Sequence, residues 1–107
     1  MLRRHKAGGE PLVYAELELD QATREVRRAG HPIELTTQEY NLLVFFLRHP
    51  RQVLSREQIL ERIWGYSTEI DSHVLEVYMN HLRQKLEAHG GTRLLQTIRG
   101  YGYALRE

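Results

Sequence analysis

The chain of 107 residues contains no cysteine. That excludes a disulfide framework and a thiolate metal site, and it suits a reducing compartment. It has only three prolines, and aromatic residues make up 8% of it. Nowhere do about 18 apolar residues run together, so no spanning helix is expected. The start, "MLRRHKAGGEP", is basic but is followed by no apolar run of the kind a secretory signal needs. An excess of one charge is missing as well. Fifteen basic residues meet fourteen acidic ones for a formal net charge of +1. If such a chain meets a polyanion, its positive charge must be gathered on one face.

What is present suits one soluble globular domain: 41% hydrophobic and 27% charged residues, enough for one modest core. Residues 1–11, "MLRRHKAGGEP", lack periodicity and read as the remnant of an interdomain linker. Residues 12–107 read as the domain. "LVYAELELD" alternates through Leu12, Tyr14, Leu17 and Leu19, and "REVRRAGHPIEL" sets Gly30 between Val26/Ala29 and Ile33/Leu35. These residues predict an antiparallel meander. The period then changes. "TTQEYNLLVFFLRHP" opens with Thr36 and Glu39 at capping-box spacing, continues with an apolar run, and stops at Pro50.

"VLSREQILERIWGY" repeats the pattern with Ser55 and Gln58, an Ile59/Leu60/Ile63/Trp64 stripe, and Gly65 at the helix end. A polar loop leads to Asp71 or Ser72 as the cap of a third, longer helix. The chain closes with "LLQTIRGYGYALRE", two alternating runs around Gly100 and Gly102 with Arg99 between them. That is a β-hairpin with an arginine at its tip. One of its tyrosines, Tyr101 or Tyr103, should lie beneath it.

The third helix has two different faces. Leu75, Met79, Leu82 and Leu86 share one stripe at helical spacing, the expected core face. Opposite lie His73, Val77, Asn80, His81 and Gln84, with Val74 at the margin. A solvated face is normally Glu and Lys; this one is uncharged and hydrogen-bonding. Asn can pair with adenine, His can donate or accept, and Val can meet a thymine methyl. Arg83 on the flank and Arg56 in the first turn of the second helix are placed to meet phosphates. Strands, two helices, a short turn, a reader helix and a hairpin together describe a helix-turn-helix with a wing. Its tip arginine would enter the neighbouring minor groove. From composition alone, mere surface residues are an equal alternative for this face.

"LTTQEYNLLVFFLRHP", "VLSREQILERIWG", "VLEVYMNHLRQKLE" and "LLQTIRGYGYAL" resemble, in order and spacing, the OmpR/PhoB-type winged-helix effector domain of bacterial two-component response regulators. The resemblance covers residues 12–106. It implies an α+β fold: an N-terminal four-stranded antiparallel sheet, three helices and a C-terminal hairpin wing. It implies tandem binding to direct-repeat double-stranded DNA in the cytoplasm, with an isolated domain that is monomeric. It also implies a loop able to touch RNA polymerase, here Gly65, Tyr66, Ser67, Thr68, Glu69 and Ile70. Base-reading positions fall on His73, Val74, Val77, Tyr78 and His81. Phosphate contacts fall on Arg56, Trp64, Asn80, Arg83 and Thr97, and the wing is represented by Arg99 followed by Tyr101. Asn80 and His81 stand where some members have arginines, so phosphate affinity should be lower. No stretch supplies the family's receiver, so the chain reads as an effector domain of a longer regulator.

Other constellations are weaker. His5, His31, His49, His73, His81 and His89 include no i, i+4 pair, so no metal site and no cofactor are expected. No nucleophile elbow, phosphate loop or paired carboxylates point to an enzyme. Trp64 should be mostly core, and Tyr78 divides evenly between core edge and DNA contact. Glu76 and Arg83 read as a solvated charge lattice. The rival from another class is a winged-helix protein-interaction module, which the near-neutral charge favours. The small polar groups of the third helix speak against it, because protein interfaces prefer aromatic anchors.

Overall fold

In the computed structural model, which describes residues 11–65 and 72–107, strand alternation places two rows of side chains on one face of a four-stranded antiparallel meander. The strands are β1 (Leu12–Tyr14), β2 (Leu17–Asp20), β3 (Glu25–Arg28) and β4 (His31–Ile33). One row pairs Leu12 with Leu19, Leu19 with Val26 and Val26 with Ile33. The next row pairs Tyr14, Leu17, Arg28 and His31. The second row corrects one expectation. Ala29 is not a strand residue but turns the chain at φ 52°, and the inward position before Gly30 belongs to Arg28, which is buried.

Helix α1 (Thr37–Arg48) starts at the expected capping box. The Thr36 side chain accepts the Glu39 N–H, and the Glu39 carboxylate accepts the Thr36 N–H. Its Leu42, Leu43 and Phe46 are fully buried, making it the central helix. After Pro50 a two-residue strand β5 (Leu54–Ser55) precedes α2 (Arg56–Trp64), whose N-cap is Ser55 in a second capping box with Gln58. Of the α2 stripe only Ile59 is fully buried; Leu60, Ile63 and Trp64 are half-buried at its edge. Gly65 ends the helix at φ 74°, a value that favours glycine.

Helix α3 (Ser72–Leu86) buries the four expected residues Leu75, Met79, Leu82 and Leu86. Of the cap expected at Asp71 or Ser72, Asp71 lies outside the described residues, as do the loop residues Tyr66, Ser67, Thr68, Glu69 and Ile70 and residues 1–10 of the expected linker. Strands β6 (Leu95–Ile98) and β7 (Gly102–Leu105) form the hairpin. The hairpin is not isolated: β5 pairs with β7, giving a three-stranded sheet in the order β5-β7-β6. Tyr103 is the tyrosine beneath the hairpin, at 3% exposure, whereas Tyr101 is 72% exposed.

One ion pair with a buried carboxylate and a partly exposed ammonium ties α1 to α3. Glu39, 2% exposed, accepts a hydrogen bond from Lys85 Nζ at 2.6 Å and from the Thr36 N–H at 2.9 Å. Burial by itself raises the pKa of Glu39. The hydrogen bonds from Lys85 and Thr36, with the Lys85 charge, outweigh it, and the net shift is downward from 4.5. A carboxyl with a depressed folded-state pKa adds stability above its unfolded value, and that stability is lost as pH falls through the folded one. We expect the domain to lose stability as pH drops below about 4.5, and Glu39→Gln to flatten that part of the profile. At neutral pH the same substitution should cost about 1–2 kcal/mol, because a charge-assisted bond becomes a neutral one. Urea unfolding at neutral pH and at about pH 3 checks both; equal pH slopes for parent and variant would show that Glu39 contributes nothing to acid sensitivity.

Candidate nucleic-acid interface

The face of α3 turned away from the core is built as the periodicity requires. His73 exposes 75% of its side chain and Val77 is 39% exposed. Asn80, His81 and Gln84 are exposed as well, and Val74 is half-buried at the margin. These residues form a continuous hydrogen-bonding strip along one side of a rigid helix. Tyr78 is half-buried, its ring meeting Trp64 edge-on at 5.3 Å. The two aromatic rings pack α2 against α3, and each is only half-buried.

The wing lies next to this strip. Tyr101 N–H donates to Ile98 O at 2.9 Å, closing a tight turn in which Gly100 takes φ 80°. Arg99 stands exposed at the tip, with Tyr101 beside it. Both residues lie in the turn between β6 and β7.

Arg83 departs from the expectation. Rather than standing on an open flank, it is 7% exposed. Its Nε donates to Leu95 O at 2.8 Å, its Nη2 to Thr97 Oγ1 at 2.6 Å, and its Nη1 to Asn80 Oδ1 at 3.4 Å. The guanidinium also lies 5.5 Å from the Tyr103 ring centroid. Burial, followed by the nearby Arg93 charge, lowers its pKa, but a guanidinium stays protonated in any protein. Asn80, Arg83 and Thr97 are thus one hydrogen-bonded group joining α3 to β6. Arg83 is foremost a strut, and it does not form the solvated lattice with Glu76 expected from spacing.

Glu76 instead accepts from Arg56 Nη2 at 3.1 Å, with His73 Nδ1 3.7 Å from its other oxygen. The bond to Glu76 is the main cause of a raised pKa at Arg56. The pair is about half exposed, so it holds Arg56 in place with little net energy. Arg56 keeps further N–H donors for another acceptor. Among the described residues no group of three His, Cys, Asp or Glu side chains is close enough to hold a metal ion. No helix among them is long and apolar enough to cross a membrane. The chemistry on offer is hydrogen bonding along the exposed face of α3, with the positive charges of Arg56 on α2 and Arg99 at the hairpin tip.

A meander, three helices with the third exposed along a polar face, and an arginine-tipped hairpin define a winged helix-turn-helix domain. The family described as "Transcriptional regulatory protein, C terminal" matches residues 30–105, and the chain belongs to that family, the OmpR/PhoB-type effector domain. It is therefore a regulatory domain and not an enzyme. Among curated relatives it is 47% identical over 96 residues to the response regulator MprA of Mycolicibacterium vanbaalenii, covering 90% of this chain and 42% of that protein. It is 46% identical over 98 residues to the transcriptional regulatory protein YkoG of Bacillus subtilis, covering 92% and 43%. The chain thus spans less than half the length of these relatives. Among solved structures, the AdeR DNA-binding domain in complex with an intercistronic region superposes with a TM-score of 0.81 at 26% identity, covering 90% of this chain and 98% of that one. The Klebsiella pneumoniae RstA DNA-binding domain in complex with the RstA box gives 0.78 at 25% identity, covering 92% and 98%.

Proposed function

We propose that this domain binds double-stranded DNA sequence-specifically, as the output domain of a cytoplasmic two-component response regulator whose receiver precedes it. Helix α3 enters the major groove, with His73, Val74, Val77, Tyr78 and His81 toward the bases. Arg56, Trp64, Asn80 and Thr97 line the phosphate side, with the Arg83 guanidinium behind Asn80 and Thr97. Arg99 reaches the adjacent minor groove. The observation that carries this reading is the uncharged, hydrogen-bonding face of α3 beside an arginine-tipped wing. The two DNA-bound relatives of the same fold support it. The loop from Gly65 to Ile70 is the segment proposed to meet RNA polymerase. Most of it lies outside the described residues.

Selecting bound duplexes from a random pool tests the reading directly. With about four to six phosphate contacts, log affinity should fall against log salt at a slope of roughly −4 to −5. The isolated domain should be a monomer, weak on one half-site and tighter on two direct repeats one helical turn apart, since the second copy then gains a neighbour on the same DNA face. Preference for inverted repeats would refute the tandem arrangement. A slope near zero would favour the protein-interaction reading, to which the net charge of +1 lends its support.

A further inference from the structure

Arg28 is an arginine on the inner face of a strand, 4% exposed, and nothing in the interface itself uses it. Its Nη1 donates to Leu86 O at 3.0 Å, and its Nη2 donates to Thr92 O at 2.6 Å. Glu16, from the turn between β1 and β2, accepts from its Nε at 2.8 Å. Leu86 is the last residue of α3, and Thr92 lies three residues before β6. One guanidinium therefore bridges the end of α3 and Thr92, clasping residues 87–91 of the segment that connects the helix to the wing. The segment is moulded around it: Gly91 takes φ 100°, and a Cβ there would stand 2.8 Å from Arg28 Nη2. A cation at Leu86 O also meets the negative end of the α3 dipole.

We propose that Arg28 is a positioning residue for the helix-and-wing interface, anchoring the 87–91 connection to the N-terminal sheet so that α3 and the Arg99 tip are held at a fixed separation. The inference rests on the DNA-binding reading above. Two contacts on one rigid body reinforce each other, because the second is made without a further ordering cost. If the connection slackens, the tip must be ordered at the moment of binding and its contribution shrinks. Arg83 ties α3 directly to β6 beyond that connection, at Leu95 and Thr97. Arg28 differs in belonging to a different sheet, so it references the wing to the body of the domain.

The test is the factor by which Arg99→Ala weakens binding to a duplex that the parent domain has selected from a random pool, measured in several backgrounds. In the parent that factor should be about tenfold, the scale of one groove contact. In Arg28→Leu it should fall to about twofold or less, since the tip is no longer held. Arg28→Lys keeps the charge but loses the planar fork whose three nitrogens reach Glu16, Leu86 O and Thr92 O at once. It should give an intermediate factor, and it stands in if Arg28→Leu shows no cooperative thermal transition. Val26→Ala, on the same strand but away from the connection, should weaken the fold and leave the factor at its parental value. The same factor in the parent and in a folded Arg28 variant overturns the proposal, as does an equal drop in Val26→Ala. Failure of the parent to select any duplex would instead remove the DNA-binding reading itself.

Discussion

Gly102→Ala should lower the melting temperature on the order of 10–20 °C, through a loss of about 3 kcal/mol. A Cβ at Gly102 would fall on the Leu54 carbonyl oxygen and stand 2.9 Å from Ser55 Cα. Both are backbone atoms, so no side-chain rotation relieves the overlap. The two strands must separate, and β5 has only two residues with which to stay paired, Leu54 with Tyr103 and Ser55 with Gly102. The damage then spreads by a short route. Ser55 is at once the last residue of β5 and the N-cap of α2, accepting the Gln58 N–H at 3.0 Å. Displacing it loosens the first turn of α2, where Arg56 is held against Glu76. Binding to all duplexes should weaken together with stability. A thermal melt followed by binding at a temperature where the variant is folded separates the two effects, and a parental melting temperature would show that the wing tolerates a side chain there.

Gly102 also marks where the sequence stops being legible. Its hairpin could be read from local alternation around two glycines. Its pairing with residues 54–55 could not, because a two-residue strand has no period of its own and its partner lies 47 or more residues away. The elements that were legible are those with local signals. The Thr36/Glu39 and Ser55/Gln58 capping boxes act within four residues, and the Leu75/Met79/Leu82/Leu86 stripe follows from helical geometry. The exposed strip on α3 then follows as the complement of the buried one. The buried charges were not legible. Arg28, Glu39 and Arg83 look like surface residues in any composition count, and only tertiary proximity supplies the acceptors and counter-charges that let them go inside. A clue was present for Arg28, which alternates in register with Val26 inside a strand-like run. Nothing comparable marked the Arg56–Glu76 pair, whose members sit on different helices twenty residues apart.

The second large effect separates two residues of α3 that lie two positions apart. Arg83→Ala removes the donors that Leu95 O and Thr97 Oγ1 now have, and Leu95 is itself buried. An abandoned buried carbonyl and the space left by the guanidinium should together cost about 2–4 kcal/mol of stability. With β6 untied from α3, affinity should fall for specific and scrambled duplexes alike, because neither the tie nor any phosphate it serves carries sequence information. His81→Ala should do the reverse. His81 is exposed in the middle of the outward strip, one turn after Val77, so its removal leaves the core stripe untouched. The melting temperature should stay where it was, while the preference for the best site over a scrambled one drops by about 1–3 kcal/mol, the scale of one base contact. Measuring melting and binding for both variants, on both duplexes and at one salt concentration, gives six values, three for each variant, with opposite patterns. If His81→Ala weakens both duplexes equally, the face of α3 turned toward the bases is not the one that His81 and Val77 share. If Arg83→Ala melts with the parent, the hydrogen bonds to β6 are not what holds the wing.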